Sequence, residues 1–344
     1  MARRREWTLE TLADGVRAAD TRALARAITL VENSDALAYD LVRELYGATG
    51  RSYAVGVTGP PGVGKSSLIS AVVRHVREDG RSVGVISVDP SSPFSQGALL
   101  GDRIRLADHF LDPDVFIRSM GTRGHLGGVA EATLQAMLVL DAAGKDFVFL
   151  ETVGTGQSEV EVAGIADTVV LVLMPGSGDS IQALKAGIME IPDVIAINKR
   201  DHPAAKTMLN EVRSILSLDH DSAWQPPIVL TEAVREEGIE ELWQKIEEHR
   251  AHLESDGRLA ERRRRNLAGE VFSVASARAK MHLEHAVADD PELRRLLEAV
   301  QNRELDPLTA VREIMEKVFF GSGARLQSGS GVPSDGDPDR TNSR

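Results

Sequence analysis

The chain has 344 residues, 42% of them apolar, and its 52 acidic side chains outnumber 40 basic ones to give a net charge of −12. That size allows a large α/β core with extensions, while the acidic balance argues against a nucleic-acid partner, whose general affinity rests on cations neutralising phosphates. Cysteine is absent, which excludes a disulfide scaffold, a thiolate metal site and a cysteine nucleophile; no run of about 18 apolar residues is available to span a bilayer, so no membrane partner and a cytoplasmic location are expected.

Residues 1–48 read as a helical extension. Leu24, Ala27, Ile28 and Val31 fall at i, i+3, i+4 and i+7, one face of a helix. From Tyr53 the rhythm changes to short β-branched runs alternating with helical stretches: Tyr53–Thr58, Val83–Val88, Phe147–Leu150, Thr168–Leu173, Val194–Ile197 and Pro227–Leu230. Several are apolar on consecutive residues, as strands buried on both faces of a parallel sheet are. Residues 49–255 are therefore expected to form a doubly wound, mainly parallel α/β domain. After Ile239 the strands stop. Glu240–His252, 258–288 and 291–301 read as helices, and Asp306-Pro307 as an N-cap and first helical residue opening a helix through Phe319. Residues 256–321 thus form a C-terminal helical arm. Residues 322–344, rich in Gly, Ser, Asp and Pro, are expected to be disordered.

The segment Gly59-Pro60-Pro61-Gly62-Val63-Gly64-Lys65-Ser66 fits G-x-x-x-x-G-K-[ST], with a strand before it and an amphipathic helix from Ser67 after it. In such a loop the glycines let backbone N–H groups turn toward phosphates, Lys65 supplies a cation to the β/γ-phosphates, and Ser66 offers a hydroxyl to Mg²⁺. Helix dipole and free N–H groups add to anion binding there. Asn198-Lys199-Arg200-Asp201 follows the Val194–Ile197 strand. A carboxylate at Asp201 accepts from both N1–H and the exocyclic amine of guanine, a donor pair adenine lacks, so adenine would leave the acceptor unpaired. Asn198 would brace the loop, and the Lys199 stem would cover the base. Thr231-Glu232-Ala233-Val234 lies where a second base-contacting loop is expected. GTP or GDP with Mg²⁺ is the expected ligand.

Asp89 and Glu151 each follow a predicted strand, and Asp102 sits in a loop-like stretch, so all three are candidates, with Ser66, for the Mg²⁺ shell. A turn cap before Pro90 and a surface ion pair are the alternatives for Asp89 and Asp102. Glu151-Thr-Val-Gly154 has the shape of a γ-phosphate switch, with Gly154 offering an N–H and Gln157 a means of orienting water. Arg103, Arg105 and Lys185 are candidates for steadying transition-state charge, against the plain reading of solvated surface cations.

Longer strings carry a family resemblance. Val88-Asp-Pro-Ser-Ser-Pro-Phe94, Gly97–Ile104, Glu151–Glu159 and Met174–Gly187 are similar to the MeaB/ArgK family, and the likeness runs from about Ala23 to Phe320. The resemblance implies a SIMIBI-class P-loop GTPase, homodimeric through its C-terminal arm. It further implies a chaperone of an adenosylcobalamin-dependent acyl-CoA mutase, with methylmalonyl-CoA mutase foremost, that gates cofactor loading and protects or reactivates the mutase. Ser66, Asp89, Asp102 and Glu151 match the family's Mg²⁺-linked positions, Asp201 its guanine-specifying aspartate, and Gly178–Ala186 a further switch. Two positions depart from the pattern: Glu232-Ala233 stands where Ser-Ala is usual, and Thr155 where valine is.

The competing functions are a kinase acting on a transport-associated binding protein and a metallochaperone GTPase. The first lacks a second substrate site in the sequence, and the second would need a Cys or His-rich tract. The i, i+3 pairs His249/His252 and His282/His285 read as exposed helical histidines, Arg262–Arg265 as a solvated helix face, and Trp224 and Trp243 as packing residues.

Overall fold

The computed structural model describes residues 7–89, 106–121, 126–152, 162, 164–177, 191–217 and 223–320, without the side chains of 89, 107, 126–130 and 320. Two compact units make up the chain, residues 1–275 and 276–344.

The first unit opens with three helices, α1 (Leu9–Arg17), α2 (Thr21–Glu32) and α3 (Ala36–Leu45), each begun by a side-chain cap at Thr8, Asp20 and Asp35. At Thr8 the cap is reciprocal with Thr11, so two N–H groups that the helix would leave orphaned are satisfied. Among the described residues seven strands then form one parallel sheet: β1 (Tyr53–Thr58), β2 (Val83–Asp89), β3 (Val115–Gly121), β4 (Phe147–Thr152), β5 (Thr168–Leu173), β6 (Val194–Ile197) and β7 (Ile228–Leu230), in the order β3-β2-β4-β1-β5-β6-β7. The connecting helices are α4 (Lys65–Glu78), α5 (Leu126–Ala142), α6 (Ala205–Leu216) and α7 (Ile239–Ser255).

Alternation along the strands explains why they read as continuous apolar runs. Val148 and Leu150 of β4 pack with α1–α3 and α5, whereas Phe147 and Phe149 face α4 and α7. On β5 and β6, Val170, Val172, Val194 and Ala196 join that second layer, while Leu171, Leu173, Ile195 and Ile197 pack on Met208 and Val212 of α6. Both faces are covered, as parallel sheets require. The N-terminal helices are thus part of the core, and Leu12, Val16, Leu24, Ile28 and Leu41 are each at most 1% exposed. Strand β3 had no counterpart among the runs read from sequence. It is an edge strand interrupted by Arg118, which pairs with Glu32 and donates to Thr29 of α2 at 3.1 Å, so its pattern is neither alternating nor continuous.

Parallel registry carries the carboxyl ends of the central strands to one edge. Tyr53 of β1 and Val83 of β2 both pair with Phe147 of β4, so Thr58, Asp89 and Glu151 leave the sheet together. A crevice at those ends is where open α/β sheets bind ligands.

Helix α8 (Arg258–Asp289) follows, then α9 (Pro291–Gln301) and α10 (Pro307–Met315), with Asp290 and Asp306 as N-caps before proline at the first helical position. The helix expected through Phe319 continues past Met315 as one π turn, Glu316–Phe320. Within the second unit Leu293 and Ala310 are buried and Lys317 pairs with Asp290 at 2.9 Å. Leu308, Val311 and Phe319 remain exposed there.

Candidate functional site

The turn from β1 into α4 needs glycine for steric reasons. Gly59 has φ +137° and a Cβ there would stand 2.1 Å from the Val172 carbonyl oxygen; Gly64 has φ +96° and a Cβ there would stand 2.5 Å from Asn198 Nδ2. Any side chain would push the loop off β5 at one position and off Asn198 at the other. Val63 and Pro60 are buried, while Pro61 and Gly62 form the exposed tip. Lys65 is 7% exposed, and its Nζ donates to the carbonyls of Gly59 at 2.8 Å and Pro60 at 3.0 Å, which holds the ammonium inside the loop. Ser66 and Ser67 follow in the first turn of α4.

Beside Lys65 lies a buried oxygen cluster. Ser66 Oγ donates to Glu151 Oε1 at 2.6 Å, and Ser87 Oγ donates to Glu151 Oε2 at 3.0 Å. Thr152 donates to Thr58 at 3.2 Å beside them. A carboxylate and hydroxyls next to a phosphate loop are hard oxygen donors, the set a Mg²⁺ ion takes when most of its shell is water and phosphate, so Ser66 and Glu151 fit that ion. Of the other two metal candidates, the Asp89 side chain and Asp102 lie outside the described residues. The same holds for Arg105, Gly154, Gln157 and Lys185, and for the Gly178–Ala186 segment.

Asn198 joins the two halves of the site. It is 3% exposed, its Nδ2 donates to the Val63 carbonyl at 2.8 Å, and its Oδ1 accepts from Ala233 N–H at 3.2 Å and Thr231 Oγ at 3.3 Å. One side chain therefore ties the phosphate loop to the loop after β7. Lys199, at φ +60°, and Asp201 are exposed on the same rim. Glu232 is 8% exposed and Val234 is 83% exposed. Burial first, then the Asp201 carboxyl nearby, holds the Glu232 carboxyl above the usual glutamate range.

At the opposite, amino-terminal end of the strands sits a second polar cluster that sequence reading missed. His249, read as an exposed helical histidine, is 1% exposed. Its Nδ1 lies 2.8 Å from Thr168 Oγ, which is 2.6 Å from the Tyr53 hydroxyl, and its Nε2 lies 3.2 Å from Asp193. Burial holds its pKa down at about 4, so the ring is neutral at physiological pH, accepts from Thr168 and donates to Asp193. Arg262 binds both Asp193 oxygens at 2.9 and 2.7 Å, and Arg263 both Asp167 oxygens at 2.8 and 2.6 Å. These two arginines are fixed in ion pairs, contrary to the solvated face expected for Arg262–Arg265. The available signal was the apolar stripe Ile239, Leu242, Trp243, Ile246, His249, Leu253, which places His249 on the buried face of α7.

Comparison with known proteins follows the same lines. The family profile described as Methylmalonyl Co-A mutase-associated GTPase MeaB matches residues 24–288. A putative GTPase of Pyrococcus abyssi is 46% identical over 323 residues, spanning 93% of this chain and 99% of that one. GTPase ArgK of Escherichia coli is 36% identical over 319 residues, spanning 89% and 96%. The crystal structure of a LAO/AO transport system kinase superposes with a TM-score of 0.70 at 30% identity, covering 91% of this chain and 98% of that one.

Proposed function

The chain belongs to the MeaB family of GTPases, and from that premise we propose that it binds and hydrolyses GTP with Mg²⁺ and serves as a chaperone for an adenosylcobalamin-dependent acyl-CoA mutase, methylmalonyl-CoA mutase first among them. The observation that carries the nucleotide half of this reading is Asn198, which links the Lys65 loop to the Asp201 and Thr231–Val234 rim. A phosphate cradle and a base rim braced by one side chain make a single nucleotide-shaped site.

In this reading backbone N–H groups from Gly62 to Ser67 face the phosphates, and Lys65 adds a point charge to the β/γ-phosphates. Ser66 and Glu151, with Asp89 and Asp102, would hold Mg²⁺, which supplies charge neutralisation to the transferring phosphoryl group. Asp201 accepts from the guanine edge, and the Thr231–Val234 backbone meets the base from the other side. Gly154 and Gln157 position the attacking water, and Arg105 and Lys185 steady the charge that develops, since phosphoryl transfer asks for positioning more than covalent chemistry.

The exposed Leu308, Val311 and Phe319 support a homodimer built through the C-terminal unit, because exposed apolar side chains are what an interface buries. The test is GTP hydrolysis, with ATP as control, measured alone and with each candidate acyl-CoA mutase. Stimulation by one mutase is expected and names the client. Hydrolysis of GTP that no mutase alters would retain the GTPase and remove the chaperone assignment, and transfer of phosphate to a protein substrate would overturn it in favour of a kinase.

A further inference from the structure

Two serines and a glutamate meet on one face of the sheet. Ser87 and Glu151 stand opposite each other where β2 and β4 pair. Both continue the face on which Val83 and Val85 of β2 and Phe147 and Phe149 of β4 pack with Leu68, Ile69 and Val72 of α4. Strand alternation therefore turns both side chains toward the start of α4, where Ser66 lies. Ser87 is 1% exposed, and Ser66 and Glu151 are buried with it. A hydroxyl buried within an otherwise apolar strand needs a partner, and Ser87 finds it in Glu151.

The Glu151 carboxylate receives a hydroxyl on each oxygen, Ser66 Oγ on Oε1 at 2.6 Å and Ser87 Oγ on Oε2 at 3.0 Å. A serine hydroxyl has one proton and two lone pairs. The Ser66 proton is spent on Glu151, so the Ser66 lone pairs face away from that carboxylate and stay open to a cation. Where the proton points depends on where Oε1 stands. The last torsion of a glutamate is broad and roughly two-fold, so Oε1 keeps its place only if Oε2 is held. Ser87 holds it from β2, which lies between β3 and β4 and is hydrogen-bonded to both.

We propose that Ser87 is a positioning residue for Mg²⁺: its hydroxyl fixes the Glu151 carboxylate, which accepts the Ser66 proton and leaves the Ser66 lone pairs to the ion. The inference rests on the reading of this end of the sheet as a GTP and Mg²⁺ site. Ser87 acts through Glu151 rather than on the ion. Groups that orient the ligands of a metal weigh on its affinity by about 10- to 100-fold. Without the Ser87 hydroxyl, Oε2 loses its donor from β2 and the carboxylate is free to turn, taking the Ser66 proton with it.

The experiment measures how tightly the full chain binds a non-hydrolysable GTP analogue in Mg²⁺ and in EDTA, with thermal melting of the same samples. The ratio of the two affinities reads the metal contribution by itself. Ser87→Ala is expected to lower that ratio about tenfold, the weight of one hydrogen bond to a charged group, while the affinity in EDTA stays at the wild-type value. In GTP turnover the Mg²⁺ concentration for half-maximal rate rises by about the same factor. Ser87→Thr keeps the hydroxyl and is expected to restore the wild-type ratio; Ser87→Ala, the smaller change, carries the test should the added methyl disturb the strand. In a Glu151→Ala background Ser87→Ala is expected to change the ratio no further, because the two residues act as one unit. A wild-type ratio in Ser87→Ala would overturn the proposal, and so would an additive loss in the double variant. Wild-type affinity for the analogue that is the same in Mg²⁺ and in EDTA would instead remove the metal reading beneath it, so the two failures are distinct.

Discussion

The two ends of the parallel sheet carry buried polar clusters of similar richness, yet they are finished differently. At the amino-terminal end the groups answer one another. Tyr53 donates to Thr168, Thr168 to His249, His249 to Asp193, and Arg262 closes the chain. Asp141 likewise accepts the N–H groups of Gly50, Arg51 and Ser52. At the carboxyl-terminal end Lys65, Ser66 and Glu151 are buried and the loops are braced inward, by Asn198 above all, but the same loops also present groups to solvent: the tip Pro61-Gly62, Lys199 and Asp201. Saturation among its own residues marks a cluster that holds the fold, and presentation to solvent marks one that meets a ligand. Both are rich in charge, so charge alone would not separate them.

The largest expected effect lies at the presenting end. Lys65→Ala is expected to lower GTP turnover by about 10³-fold, as removal of a preorganised cation from developing phosphoryl charge does, while the melting temperature changes little. Steady-state hydrolysis with thermal melting of the same sample checks both halves. A variant that hydrolyses GTP at the wild-type rate would break the assignment of this end as the reacting one.

Asp193→Ala turns the comparison round. It leaves Arg262 and His249 without their shared acceptor, and truncating one member of a largely buried ion pair costs about 3 kcal/mol or more. A melting temperature lower by about 4 °C or more is expected for a chain of this size, with kcat of the folded protein unchanged. Loss of turnover without loss of stability would show that the anchor end takes part in the chemistry.

The same division explains what could be read in advance. The phosphate loop is legible because backbone torsion forces its glycines and chemistry fixes Lys65 and Ser66, all within eight consecutive residues. Strands β1, β2, β4, β5 and β6 are legible because burial on both faces leaves almost only apolar residues. Strand β3 escapes because an edge strand tolerates Arg118 once Glu32 of another helix meets it. The anchor escapes for a different reason: Tyr53, Thr168, Asp193, His249 and Arg262 come from five separate elements or links, and no local pattern announces a partner that distant. Glu232 was visible as a departure from the family's serine, but its burial in a loop tied to Asn198 follows only after β6 and β7 pair.

Glu270 sharpens the comparison by being the exception at the anchored end. It lines a largely apolar cavity of about 200 Å³ with Leu134, Met137, Leu138 and Leu267, on the side of the sheet where Asp141, Asp167 and Arg263 are already paired. Its Oε1 is buried and has no hydrogen-bond partner among the described residues. Burial raises its pKa to about 7. A carboxyl bound more tightly to its proton in the folded chain than in the unfolded one, where about 4.5 applies, makes stability fall as pH rises from about 4.5 to 7 and leaves the full cost in place above 7. Glu270→Gln removes the charge and little else. At pH 8 it should stabilise the chain by about 1 to 2 kcal/mol, a figure discounted for the solvent that enters an open cavity, and near pH 4.5 it should match wild type. Urea unfolding at the two pH values measures the difference directly. A gain that is the same at both would assign Glu270 a packing effect, and no gain at either would mean that its carboxylate is hydrated after all.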